Sequence, residues 1–169
     1  MFGDLRRSRI IALSAAFIAL ITLGSWVSVP FFPVPLTLQT LFVLLSGAVM
    51  RRYAVIPVSL YILLGAFGLP VFHNGIAGFG ILLGPTGGYL IGFIPAALIA
   101  GLAYESKRDW VHVCGLAVAT FIIYACGISW LTGSTGMGVT AALAMGMLPF
   151  LPGDGIKAFA AYMIAKRLP

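Results

Sequence analysis

Long apolar runs alternate with short polar breaks along the whole chain, and the breaks predict the elements. No charged residue interrupts Ile10–Val29, which predicts a first membrane span. Pro30, Pro33 and Pro35 follow, and proline cannot continue a helix. A second span is expected at Leu36–Val49, ended by Arg51 and Arg52, and a third at Ala54–Phe67. Gly68–Gly88 is glycine-rich and reads as irregular backbone. A fourth span covers Tyr89–Tyr104 and ends in the charged stretch Glu105 to Asp109; a fifth covers Trp110–Trp130. Gly and Thr loosen Leu131–Gly138, a short helix is expected at Val139–Leu148, and a sixth span covers Asp154–Ala165 before Lys166 and Arg167.

Composition turns these runs into a class. The 169 residues are 61% hydrophobic and 8% charged, against about 25% charged in soluble domains. At about 20 residues per span, five or six helices plus short loops use up the chain. The expectation is an all-α integral membrane protein, one domain over 1–169, with the lipid bilayer as its solvent. The Arg-rich start resembles a signal peptide, but its apolar run is too long for one, so it is expected to remain as the first helix.

The net charge of +6 does not mark a nucleic-acid partner, because the cations cluster at span ends rather than along one face. With the N-terminus in the cytoplasm, nine of the ten cations fall inside: Arg6, Arg7, Arg9, Arg51, Arg52, Lys107, Arg108, Lys166 and Arg167. This positive-inside pattern predicts six spans with both termini cytoplasmic. Cys114 and Cys126 lie on one helix, too far apart for a disulfide. No Cys/His set has zinc spacing, no Walker A motif occurs, and no nucleophile–base set is visible. No metal, cofactor or catalytic residue is expected, and the chain is not expected to be an enzyme.

The tenth cation is the exception. Lys157 stands nine residues before Lys166, about 14 Å above the inner boundary on a helix, with Asp154 about 5 Å higher. Ionisable groups at that depth are costly and mark function by default. At i and i+3 the two share a helix face. Two readings stand: a ligand-binding pair, or a helix N-cap Asp154 with Lys157 snorkelling outward. Gln39, at similar depth in the second span, bonds another helix or lines a pocket. Asn74 is a turn residue or a pocket amide. Tyr89 is an interfacial aromatic or a ring wall, and Tyr61 a lesser pocket candidate. Gly75–Gly88 is expected to line an outward-facing pocket, since irregular backbone at membrane depth survives only against protein or a cavity. Ala12, Ala15, Ala16 and Ala19 put small residues on one side of the first span, where another helix can approach.

Three stretches together resemble the BioY family, the biotin-specific S subunits of energy-coupling factor (ECF) transporters. They are Pro33–Thr40, Gly68–Phe72 continuing to Leu83–Tyr89, and Leu151–Asp154 with Lys157. The resemblance implies a six-helix S-component bundle in the cytoplasmic membrane, with biotin as the ligand in an outward-facing pocket. It implies a lid at Pro30–Pro35, and a membrane coupling (T) subunit and two cytoplasmic ATPase subunits as partners. The first-span alanines would face the coupling subunit. Asp154 and Lys157 would supply the acceptor and donor that a ureido group needs, with Gln39, Asn74 and Tyr89 completing the pocket. Some family members carry a basic residue where Leu90 follows Tyr89, so the partner of the biotin carboxylate is left among Asn74, loop N–H groups and solvent. A solitary secondary carrier, or an S subunit for another vitamin or a biotin precursor, stays open as an alternative.

Overall fold

The computed structural model describes residues 2–168. Helix α1 (Phe2–Trp26) is 25 residues long. The prolines after it form the tip of a small antiparallel hairpin, β1 (Ser28–Val29) against β2 (Leu36–Thr37), with Val29 opposite Leu36. Helices α2 (Gln39–Met50) and α3 (Val55–Ala66) follow, joined by a 3₁₀ turn at Arg51–Ala54. Then come the short α4 (Phe79–Leu83), α5 (Gly87–Ala103), α6 (Asp109–Thr135), α7 (Val139–Gly146) and α8 (Leu151–Arg167).

By length and apolarity alone, Leu5–Trp26, Gln39–Ala66 and Asp109–Thr135 qualify as spans, with α7 and α8, bent by 53°, as a fourth together. Gln39–Ala66 is nevertheless two arms. Gln39 and Tyr61 would lie about 33 Å apart on one continuous helix, yet Gln39 Nε2 donates to Tyr61 Oη at 2.6 Å. The chain doubles back at Arg51, whose φ of 56° lies in the left-handed region. The bundle therefore has six main arms, α1, α2, α3, α5, α6 and α8. Each 12-residue arm of the hairpin is about 18 Å long, short of a core about 30 Å thick.

Small residues bring the arms together. A Cβ on Gly47 of α2 would stand 3.0 Å from the Ala97 carbonyl oxygen and the Gly101 nitrogen of α5. Ala96, Ala97 and Ala100 are completely buried there, the close approach that packs helices where lipid removes the hydrophobic drive. At one end of the bundle the charged breaks meet. Arg6 Nη2 donates to Tyr53 Oη at 2.7 Å, Arg52 pairs with Glu105 at 2.6 Å, and Lys166 pairs with Asp109 at 3.0 Å.

Three expectations need correction. Gly68–Gly88 is not irregular throughout: it carries a 3₁₀ turn at His73–Gly75 and the helix α4. Leu131–Thr135 stays helical, with the Thr132 and Thr135 hydroxyls donating back to carbonyls of their own helix. The helix ends only at Gly136, in the left-handed conformation. The sixth span starts at Leu151, three residues earlier than expected. Pro152 and Gly153 sit in its first turn, where backbone N–H groups need no intrahelical acceptor. Asp154 is thus inside the helix, its N–H bonded to the Phe150 carbonyl at 2.8 Å, and it is not the N-cap.

Candidate ligand-binding site

The first turn of α8 aims Asp154 into the bundle, and one helical turn on, Lys157 follows it on the same face. Asp154 is only 4% exposed. Its Oδ1 accepts from Lys157 Nζ at 2.8 Å and from Thr40 Oγ1 of α2 at 2.9 Å. Its Oδ2 accepts from Tyr124 Oη of α6 at 2.5 Å. A carboxylate offers about four acceptor sites, two on each oxygen. Oδ1 is therefore filled, and Oδ2 keeps one site. Lys157 has three donors and uses one on Asp154.

Beside this cluster lies a small cavity. Its polar rim is Thr37, Gln39, Thr40, Tyr124, Asp154 and Lys157. Its apolar walls are Leu90 and Phe93 of α5, Ile123 of α6 and Phe150, with Val34 and Pro35 of the hairpin above. His73, Thr86 and Tyr89 complete it. Phe31 of the hairpin meets Phe150 edge to face, centroids 6.1 Å apart, so the hairpin lies across the cavity as a cover. The space open to the centre of a water molecule is about 50 Å³, enough for a few waters. A drug-sized guest needs several hundred Å³.

A chain of hydrogen bonds fixes Gln39. Its Oε1 accepts from Thr37 Oγ1 at 3.0 Å and its Nε2 donates to the buried Tyr61 hydroxyl. Tyr61 in turn donates to the Val71 carbonyl at 2.9 Å, which also accepts from Ser25 Oγ of α1 at 2.7 Å. Tyr89 is locked likewise. Its hydroxyl donates to the Gly146 carbonyl at 2.9 Å, and its ring occupies the space a side chain at Gly127 would need.

The structure thus brings Asp154, Lys157, Gln39 and Tyr89 around one cavity. It leaves Asn74 out. That residue is exposed, its φ is 55°, and its Oδ1 accepts from Ser28 Oγ at 2.7 Å; asparagine tolerates the left-handed turn there, and the turn takes its side chain away. His73 lines the cavity instead. The glycine-rich segment supplies only His73 and Thr86, not a lining from Gly75 to Gly88. Tyr61 supports Gln39 from behind without lining the cavity. Thr40 and Tyr124 are functional candidates that sequence reasoning missed. Tyr124 was detectable only as a lone phenol in the middle of an apolar span. Ala12, Ala15, Ala16 and Ala19 are all exposed on α1, while Phe17 and Ile21 turn inward.

A model of the BioY family matches residues 3–169. The chain belongs to the BioY family. It is 45% identical over 154 residues to the biotin transporter BioY of Thermotoga maritima, covering 90% of each chain. It is 40% identical over 163 residues to a probable biotin transporter BioY of Pyrococcus horikoshii, covering 96% of this chain and 97% of that one. The crystal structure of the S-component for biotin from an ECF-type ABC transporter matches with a TM-score of 0.88 and 26% identity, over 97% of this chain and 92% of the other. The fold is an all-α membrane bundle of the S-component type, and the family is one of transporter components rather than enzymes.

Proposed function

We propose that this chain captures biotin as the substrate-binding subunit of an ECF-type transporter. The observation that carries the reading is the unfinished hydrogen bonding at Asp154 and Lys157. Among the described residues, one acceptor site on Oδ2 and two donors on Nζ have no protein partner, and both groups line the cavity. A ureido group presents the complement, N–H donors beside a carbonyl acceptor. Charge-assisted bonds of this kind are stronger than neutral ones, and more so away from water. The names of the relatives support the same ligand.

The chain sits as a multi-pass protein in the cytoplasmic membrane, with its charged end and both termini in the cytoplasm. The hairpin between α1 and α2 then faces outward and moves aside to admit ligand, since the cavity must widen. The exposed alanines of α1 meet a coupling subunit, and two cytoplasmic ATPases drive the cycle. The expectation that Asn74 binds ligand is not carried forward, given its place in the turn.

Labelled biotin binding to the purified chain tests the reading. Wild type binds, and Asp154→Asn and Lys157→Ala lose most of their affinity. Undiminished binding in both variants would overturn the site; no binding by the wild type would overturn the ligand.

A further inference from the structure

Two clefts outside the covered cavity meet at one residue. The first is an apolar groove of about 450 Å³ between α6 and α8. It is lined at helical spacing by Val113, Ala117 and Phe121 on one side and by Leu151, Ala158 and Phe159 on the other. Phe121 and Phe159 are 65% and 64% exposed, so the groove opens sideways, where hydrocarbon surrounds a membrane bundle. Each wall spans eleven residues' rise or so, about 16 Å. The second is a cleft of about 320 Å³ at the charged end, holding Arg9, Arg51 and Lys166 against one carboxylate, Asp109. Tyr162 lines both. Its ring closes the bottom of the groove, while Lys166 Nζ reaches its hydroxyl at 3.4 Å and lies 5.6 Å from the ring centroid. An aromatic with a polar tip suits such a junction of apolar and wet surface.

We propose that the two clefts form one seat for an anionic phospholipid. An acyl chain lies in the α6–α8 groove, and the phosphate headgroup lies among Arg9, Arg51 and Lys166. The groove is lined mostly by apolar side chains and holds no cation, so it suits an acyl chain and not a headgroup. The cleft carries excess positive charge, which selects an anionic lipid over a zwitterionic one. Tyr124 and Asp154 line the upper end of the groove as well as the covered cavity, so the seated chain packs on the back of the wall that holds the carboxylate. The lipid site stands whether or not the ligand of that cavity is biotin, and it is tested without any such ligand.

The experiment is native mass spectrometry of the purified full chain, extracted in mild detergent and titrated with phosphatidylglycerol or phosphatidylcholine of equal chain length. Wild type retains one phosphatidylglycerol in preference to phosphatidylcholine. Arg9→Gln weakens that retention about fivefold, the loss expected for one basic contact near a membrane surface. Ala117→Trp fills the groove from an exposed apolar position and weakens it at least as much. Ala158→Leu, a smaller filling change, gives the same direction should the tryptophan variant fail to fold. Inorganic phosphate does not displace the lipid. Equal retention of both lipids, unchanged retention in the groove-filling variants, or displacement by phosphate alone overturns the proposal.

Discussion

The Asp154–Lys157 and Arg52–Glu105 pairs each join a carboxylate to a cation at nearly the same distance, 2.8 and 2.6 Å; the first is a single ammonium bond and the second a two-pronged guanidinium one, and their surroundings differ. The first has side chains 5% and 13% exposed; the second, 60% and 27%. Burying an ion pair costs several kcal/mol of lost hydration per ion, about as much as the pairing returns. A pair at a bundle end avoids that cost and contributes correspondingly little. The comparison teaches that the inner pair is no cheap source of stability. Its donors and acceptors are held ready beside a cavity with room for only a few competing waters.

The strongest test separates the two pairs by mutation. Asp154→Asn and Lys157→Met each lower biotin affinity on the order of a hundredfold or more, as truncating one partner of a buried, hydrogen-bonded charge pair does. Glu105→Gln leaves affinity at wild type. Equilibrium dialysis reads all three. Stability gives a second reading. Lys157→Met leaves the Asp154 carboxylate without its cation and costs about 3–5 kcal/mol, while the double variant with Asp154→Asn recovers most of that loss. If single and double variants melt together, the inner pair is no more coupled than an exposed one, and the comparison fails.

The next test concerns the uncharged residues around the carboxylate. Tyr124→Phe removes the donor to Oδ2 and lowers affinity about tenfold, the lower range for a hydrogen bond to a charged group. Calorimetric titration checks both size and sign. A rise in affinity would mean that the phenol competes with ligand for Oδ2 rather than aiming it.

These neutral groups also mark where the sequence stopped being legible. The charge ladder placed Lys157 and Asp154 at depth because charges in an apolar run have few explanations. It also separated α2 from α3, although both are shorter than a full span. Thr40 and Tyr124 carried no such signal. A hydroxyl within a span can always bond its own helix, as Thr120 does to the Leu116 carbonyl and Ser129 to the Ala125 carbonyl. Only the packing of α2 and α6 on α8 distinguishes Thr40 from Thr120. Asn74 lies away from the cavity for the opposite reason. Its side chain had two plausible uses, and the local turn claimed it. The start of α8 was misplaced because Pro152 and Gly153 read as a break, although the first turn of a helix accepts both.

A smaller effect is expected at the cover. Phe31→Ala removes the edge-to-face contact with Phe150, a contact of about 0.5–1.5 kcal/mol beyond its buried area. Bound biotin should then dissociate about two- to tenfold faster in a filter-binding chase, with both charges of the site intact. An unchanged rate would mean that the hairpin does not limit exit, and that the inner pair is shielded by something other than this cover.

The smallest effect, and the sharpest contrast, lies in the response of the exposed pair to acid. Arg52 beside Glu105 holds that carboxyl below its ordinary value of 4.5. A depressed carboxyl contributes stability above its unfolded value and loses it as pH falls through the lower folded value. Acidifying from neutrality towards pH 5 therefore costs little at the Arg52–Glu105 pair; the loss sets in near the unfolded value and continues below it. Glu105→Gln should leave the melting temperature near pH 7 within scatter and slightly flatten its fall under acid, because water already screens the pair. Thermal melts of wild type and Glu105→Gln between pH 7 and pH 3 would show this. A large loss for Glu105→Gln at neutral pH would place the charged end of the bundle in the same class as Asp154 and Lys157, and burial would no longer explain the difference between them.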